Sequence, residues 1–413
     1  MITIVKRNGR GTEPFTLDKI IHAVSKAQSR TSSTNESLPL ETAIEVERQL
    51  REDHIIEISV DDIHRMVEDT LMDSDHDTAR EYITYRKTHM PDLFRERKLY
   101  RPFEYPDLHQ YVDAIRRSYW THDEFDFTSD VQDFLVNMSG AEAEAVRRCM
   151  LAIAHVEATV KTFWSDIGKR IPKPEIAEVG ITFGESEVRH ANAYAELLNI
   201  LGLNESFEEI SSNPVFKQRQ AYMEQALSGK NGDNRDYLKT IAFFSLFIEN
   251  VSLFSQFLII MMINQKQGYL KGMSNTISST SLEENLHAMF GADIIKTRRI
   301  ESPEWFTHEF DLEVEQLVEQ SYQAELAIIN WIFELGEISA VSKQTVIEYI
   351  KNRYNKGLVD AGFSPYFTVN ESLLTETEFF DLQVATTTHV DFFHKKSSGY
   401  SKKMVSYDPD LLF

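Results

Sequence analysis

The sequence predicts a mainly α-helical protein: a long helical bundle preceded by a small unit that joins a short β-hairpin to about four helices. Three observations predict it. From about Leu108 to Tyr354 apolar residues recur at helical spacing, and glycine and proline gather in short gaps at 168–174, 202–213, 228–234 and 268–272. The runs between those gaps give long helices near 141–167, 176–201, 235–266, 274–297 and 311–335. The opening residues differ in texture, with alternation around Ile2 and Ile4 followed by Asn8-Gly9 and Arg10-Gly11 turn chemistry.

Taken in order, the hairpin closes at Pro14-Phe15. Leu17, Ile20, Ile21 and Val24 then define one face of a helix reaching Ala27, and a second helix covers Asn35 to Leu50. Ser59 is placed to cap a third, with Asp61 and Asp62 at its positive end. Asp77 opens a fourth that carries Ile83 and Tyr85. Pro91 falls inside the charged stretch that follows, and Pro102 and Pro106 mark a linker. The expected division is 1–94, a linker at 95–107, a helical domain at 108–388 and a tail at 389–413. The tail holds Lys395, Lys396, Ser397, Ser398 and Gly399 with little periodicity, and is expected to be mobile.

Composition narrows the function. At 413 residues the chain has room for two or three domains and a substantial core. Its 43 basic and 65 acidic residues leave a net charge of −22, the wrong sign for a general nucleic-acid binder. A single cysteine, Cys149, excludes an internal disulfide, a CxxC pair and a thiolate-only zinc site, and suits a reducing, cytoplasmic setting. The N-terminus lacks the apolar core of a signal peptide. The most apolar stretch, Ile241 to Ile263, is interrupted by Ser245, Glu249, Asn250, Ser252, Ser255 and Gln256, which predicts a buried helix and no membrane span.

Glu249 is the first residue that asks for chemistry. It lies among Phe243, Phe244, Leu246, Phe247, Ile248, Val251, Leu253 and Phe254. An isolated carboxylate buried there would take up a proton or need a cation. By residue type alone, a narrow polar stripe with Ser245, Ser252 and Gln256 accounts for it equally well. Two Glu-x-x-His pairs follow, Glu187 with His190 and Glu284 with His287, and each sets a carboxylate and an imidazole on one helix face. Glu157 sits mid-helix among small and apolar neighbours, while His155 points about 200° away from it on a helical wheel. In chain order the set is Glu157, Glu187-x-x-His190, Glu249, Glu284-x-x-His287. One Glu from each of two helices with Glu-x-x-His from each of two others is the ligand set of a di-iron or dimanganese carboxylate bundle. Four carboxylates and two imidazoles suit iron or manganese. Tyr194, four residues after His190, falls on the same face. For an arbitrary tyrosine a core residue with a satisfied hydroxyl is the better reading; beside this ligand set the functional one is favoured, because a phenol next to a metal pair can lose an electron and a proton.

These residues resemble the small, radical-generating subunit of class I ribonucleotide reductase. The matching stretches are Tyr119-Trp120-Thr121-His122-Asp123-Glu124-Phe125-Asp126, the Glu157 helix, Phe183 to Tyr194, Glu249 and Leu282 to His287, in order along about 100–413. The resemblance implies a ferritin-like helical fold, a homodimer, and a dimetal site that stores a one-electron oxidant after reacting with oxygen or a reduced oxygen species. It implies a separate large catalytic subunit, whose cysteine receives that oxidant to reduce ribonucleotides. Trp120 matches a tryptophan that links metal to surface. Glu283 stands where the family usually has an aspartate that hydrogen-bonds a ligand histidine. Tyr400, preferred over Tyr407, matches a tail tyrosine that carries the radical onward, and Leu411, Leu412 and Phe413 would dock on the large subunit. Whether the oxidant rests on Tyr194 or on the metals, and whether these are manganese or iron, stays open.

The first segment resembles an ATP-cone, a nucleotide-sensing module, through Val5-Lys6-Arg7-Asn8-Gly9, Glu13, Phe15, Leu17-Asp18-Lys19-Ile20, Asp62-Ile63-His64 and Tyr85-Arg86-Lys87. Lys6, Arg7, Lys19 and Lys87 offer cations to a triphosphate, and N–H groups around Gly9 can cradle it. Val5, Glu13 and His64 complete the implied nucleotide-binding set. The resemblance implies control by ATP, which permits activity, and by dATP, each with magnesium; dATP would favour a larger inactive assembly such as a tetramer. Two other readings compete: another ferritin-like dimetal oxidase, and a non-catalytic nucleotide-responsive regulator.

Overall fold

A computed structural model of the chain describes residues 2–5, 12–89, 91–160, 162–210 and 212–386, which divide into two compact units, Met1–Pro91 and Asp92–Phe413. In the first, β1 (Thr3–Val5) pairs antiparallel with β2 (Thr12–Pro14), setting Ile4 opposite Glu13. It also pairs parallel with β3 (Glu57–Ser59), setting Ile4 opposite Ile58. The antiparallel pair matches the expected hairpin. β3 was not legible, because three residues leave no period to read. A parallel partner needs a long crossover, which the helices Leu17–Gln28 and Leu38–Glu52 supply. Val60–Ser74 and His76–His89 complete the unit. The Ser59 hydroxyl accepts the Asp62 N–H at 3.1 Å, the expected cap. Ile4, Ile20, Val24, Val46, Leu50, Ile58, Val67, Leu71 and Tyr82 close a core that belongs to this unit.

The second unit is built on the helices Pro106–Arg117, Gly140–Val160, Pro174–Ile200, Pro214–Ser228, Asn234–Gln267, Lys271–Glu301, His308–Ile332 and Lys343–Asp360. Pro106, Pro174 and Pro214 each open a helix, where a missing N–H and a fixed φ cost nothing. Where a helix is expected at 141–167, Gly140–Val160, Thr162–Ser165 and Ile167–Arg170 are helical, and residue 161 lies outside the described residues. Asn234–Gln267 is long and apolar enough to cross a membrane, but its most apolar window is wholly buried inside the unit. That is the buried helix its serines and Glu249 predict. It is not uniformly α-helical: Phe243–Ser252 is wound as a π-helix.

The stretch 95–107 does not behave as a linker. Just before it, Asp92 pairs with Arg298 at 2.9 Å and the Leu93 N–H donates to Glu301 at 3.0 Å. Within it, the Tyr105 N–H donates to the buried Glu175 at 2.9 Å. Its prolines shape a strap laid along the bundle. Two glycines allow close approach elsewhere. A Cβ on Gly291 would fall 2.1 Å from Ser245 Cβ, and one on Gly180 would fall 2.2 Å from the Trp164 carbonyl oxygen. The first lets Lys271–Glu301 lie against the π stretch. The second brings the Trp164 segment onto Pro174–Ile200.

Candidate metal centre

Four helices deliver the six predicted ligands to one place. Glu157 comes from Gly140–Val160, Glu187 and His190 from Pro174–Ile200, Glu249 from the π stretch, and Glu284 and His287 from Lys271–Glu301. None is more than 1% exposed. They form two overlapping groups, Glu157–Glu187–His190–Glu284 and Glu187–Glu249–Glu284–His287. Within each group the potential ligand atoms lie within 4.8 Å of one another. Glu187 and Glu284 belong to both groups, so two cations could sit side by side with these carboxylates between them. His190 Nδ1 is 3.0 Å from Glu284 Oε1, and His287 Nδ1 is 3.1 Å from Glu187 Oε1. His155 stands apart with its ring against Phe216, as its wheel position predicts.

The electrostatics show what the cluster lacks. Among the described residues, both carboxylate oxygens of Glu157, Glu187 and Glu284, and Nδ1 of both histidines, make no hydrogen bond. Unbonded buried acceptors converging on one point are costly unless a cation fills the space. Burial, with the nearby Glu284 and Glu187 charges, pushes the Glu157 and Glu249 carboxyls well above the usual range. Burial alone would lower the histidines, but the surrounding carboxylates outweigh it and raise both imidazoles well above their ordinary value. Protons thus compete for the room that metal ions fit. The donor set, hard oxygens with imidazole nitrogens, suits transition-metal cations.

The outer contacts aim the ligands. His190 Nε2 is 2.8 Å from Glu283 Oε2, and His287 Nε2 is 3.0 Å from Ser186 Oγ, whose own hydrogen goes to the Phe183 carbonyl at 2.7 Å. Holding each Nε2–H outward leaves Nδ1 facing the cluster. The Trp164 indole N–H donates to Glu249 Oε1 at 2.6 Å. Ser118 Oγ and Arg189 Nη2 donate to Glu283 Oε1 at 2.9 and 3.1 Å, and Arg189 Nη1 donates to the Trp120 carbonyl at 3.1 Å. Trp120 stacks on His190 with centroids 5.8 Å apart and planes at 16°, but its indole N–H has no hydrogen-bond partner among the described residues. Sequence reasoning missed Ser118, Trp164, Ser186 and Arg189. The last two adjoin ligands and carry no pattern of their own, and only the fold brings Ser118 and Trp164 in. Tyr194 is fully buried, and its hydroxyl makes no hydrogen bond among the described residues. Burial and the Glu157 charge push the phenol well above its usual value, so it keeps its proton.

Of the residues expected to hold a nucleotide, Lys6, Arg7 and Gly9 lie outside the described residues, as does the side chain of Lys87. Val5 lies on β1, and Glu13, on β2, pairs with Lys19 at 2.6 Å. His64 Nδ1 bonds the Tyr82 hydroxyl at 2.8 Å. Tyr400 and the rest of 387–413 also lie outside the described residues.

Comparison with known proteins follows this geometry. Residues 97–373 match the family model for the ribonucleotide reductase small chain, and residues 2–90 match the ATP cone domain. A probable ribonucleoside-diphosphate reductase small subunit of Invertebrate iridescent virus 3 is 25% identical over 333 residues, spanning 76% of this chain and 87% of that protein. The fold is similar to that of a putative class I ribonucleotide reductase from Bacillus halodurans, with TM-score 0.61 at 18% identity over 67% of this chain and 99% of that one. An R2-like ligand-binding oxidase reconstituted with a Mn/Fe cofactor also shares it, with TM-score 0.55 at 17% identity over 64% of this chain and 95% of that one. The match over 97–373 gives the family: this chain belongs to the ribonucleotide reductase small-chain family, with an ATP-cone domain preceding its ferritin-like bundle.

Proposed function

We propose that this chain is the radical-generating subunit of a class I ribonucleoside-diphosphate reductase whose activity is set by adenine nucleotides at its own N-terminus. The observation that carries the first part is the sharing of Glu187 and Glu284 between two buried ligand groups. Glu157, Glu187, His190, Glu249, Glu284 and His287 would hold two transition-metal ions, manganese or iron, with those two carboxylates common to both. Once bound, the ions supply one-electron oxidising power. The chain's part is to keep Tyr194 dry and protonated beside them, and to lead from His190 through Glu283 and Trp120 toward the surface. Tyr400 would extend that route to the large catalytic subunit of a cytoplasmic complex.

The ATP-cone, 1–94 as read from sequence, would bind ATP or dATP with magnesium through Val5, Lys6, Arg7, Gly9, Glu13, Lys19, His64 and Lys87. ATP would favour an active homodimer and dATP a larger inactive assembly such as a tetramer. Such control requires that the two nucleotides differ in affinity for the two assemblies. Elemental analysis with electron paramagnetic resonance on the oxygen-exposed chain tests the metal reading. About two ions per chain are expected, with Glu249→Ala losing them. Retention of both ions in that variant removes the core of the reading.

A further inference from the structure

The aim of Glu249 depends on a helix distortion that has to be held in place. A π turn carries an extra residue relative to an α turn. Rewinding the stretch as α-helix would therefore shift the register by one residue and swing the side chains beyond it by about 100°. Widened winding also loosens the carbonyl ladder, and buried carbonyls need partners.

Two buried guanidinium groups supply them. Arg219, on Pro214–Ser228 and fully buried, donates from Nη2 to the Ser252 carbonyl at 2.5 Å. From Nη1 it donates to the Ala152 carbonyl at 3.2 Å, on the helix that carries Glu157. Its counter-ion, the fully buried Glu325, is 3.1 Å away. Arg353, on Lys343–Asp360, donates from Nε to the Asn250 carbonyl at 2.5 Å and from Nη2 to Asn250 Oδ1 at 2.7 Å. Asn250 Nδ2 returns a bond to the Arg353 carbonyl at 2.7 Å. The two arginines therefore grip backbone on either side of Val251, just beyond Glu249. Arg219 also ties together the two helices that give one carboxylate each.

A buried ion pair contributes little net stability compared with apolar residues of similar volume, because desolvation offsets the attraction. Its value here lies in where the donors point. We propose that Arg219 and Arg353 are positioning residues that lock the register of Phe243–Ser252, and so direct Glu249 into its ligand group. This rests on the dimetal reading above.

The test uses the full chain. Arg219→Met combined with Glu325→Leu removes the pair without stranding a charge, and Arg353→Lys keeps charge while losing the planar fork. Mn(II) binding is measured by equilibrium dialysis and electron paramagnetic resonance, alongside thermal melting of the metal-free protein. A control, Val314→Ala, lowers melting through a core cavity on the Glu325 helix. Wild type and control should bind about two ions with a spin-coupled signal. Both clamp variants should bind the second ion at least about tenfold more weakly and show the signal of isolated Mn(II). Arg219→Lys with Glu325 intact should recover part of the loss. Wild-type affinity for both ions in the two clamp variants overturns the proposal. A wild-type chain that takes up no pair overturns the dimetal reading and the clamp with it.

Discussion

Glu283 Oε2 lies 2.8 Å from Nε2 of His190, on the side of the ring away from the carboxylate cluster. The arm is one methylene longer than the aspartate usual at this place in the family, and the structure uses that length. Oε1 is held by Ser118 and by Arg189, so the carboxylate spans a serine, an arginine and a ligand histidine at once. His190 is thereby fixed in orientation, with Nε2 turned to Glu283 and Nδ1 toward the cluster.

Replacing Glu283 separates these roles. Glu283→Gln keeps the length but loses the charge that favours an Nε2–H donor, and metal affinity should fall about 10- to 100-fold. Glu283→Asp should be intermediate, because a shorter arm cannot keep all three partners. Mn(II) dissociation constants decide the matter, and wild-type affinity in Glu283→Gln would show that the contact is incidental.

Trp120 stacks on His190 yet contributes no ligand atom. Trp120→Phe preserves a flat apolar ring and should leave the metal content unchanged. Turnover with the large subunit should vanish if the indole lies on the route out. Persistent turnover would move the route elsewhere.

These relationships set the limits of what sequence showed. Glu157, Glu187, His190, Glu249, Glu284 and His287 were legible because helical spacing fixes which side chains share a face, and because a carboxylate amid phenylalanines needs a reason. Trp164, Ser186, Arg189 and Ser118 were not, because a hydrogen bond between distant segments leaves no period. The π winding at Glu249 was equally invisible: the sequence from Phe243 to Ser252 reads as an ordinary apolar helix. The strap at 95–107 misled for a related reason, since prolines mark a break in helix without saying whether the chain then hangs free or packs.

The first unit closes its own core, from Ile4 to Tyr82, and the second closes another from Leu93 onward. Removing residues 1–91 should therefore leave the bundle folded with its metals bound. If the cone carries the control, inhibition by dATP disappears in this truncation while turnover remains. Inhibition that survives would assign the control to the partner subunit.

Glu142, near the start of the helix that carries Glu157, gathers three chain segments. It accepts from Ser139 Oγ at 3.0 Å, from Gln267 Nε2 at 2.9 Å, and from the Ser339 hydroxyl. Burial alone would raise its carboxyl, but these hydrogen bonds outweigh it and hold the group below the ordinary 4.5. The unfolded chain therefore binds this proton more readily than the folded one, and stability rises with pH across the interval between the two values. The contribution is fully present above about pH 4.5 and fades as pH falls through the folded value. Glu142→Gln should cost about 1–2 kcal/mol near neutral pH, seen as a lower denaturant midpoint. The gap between variant and wild type should narrow steadily in acid as the wild-type carboxyl takes up its own proton. A gap that stays constant to low pH would mean that shape, and not charge, is what Glu142 contributes at that junction.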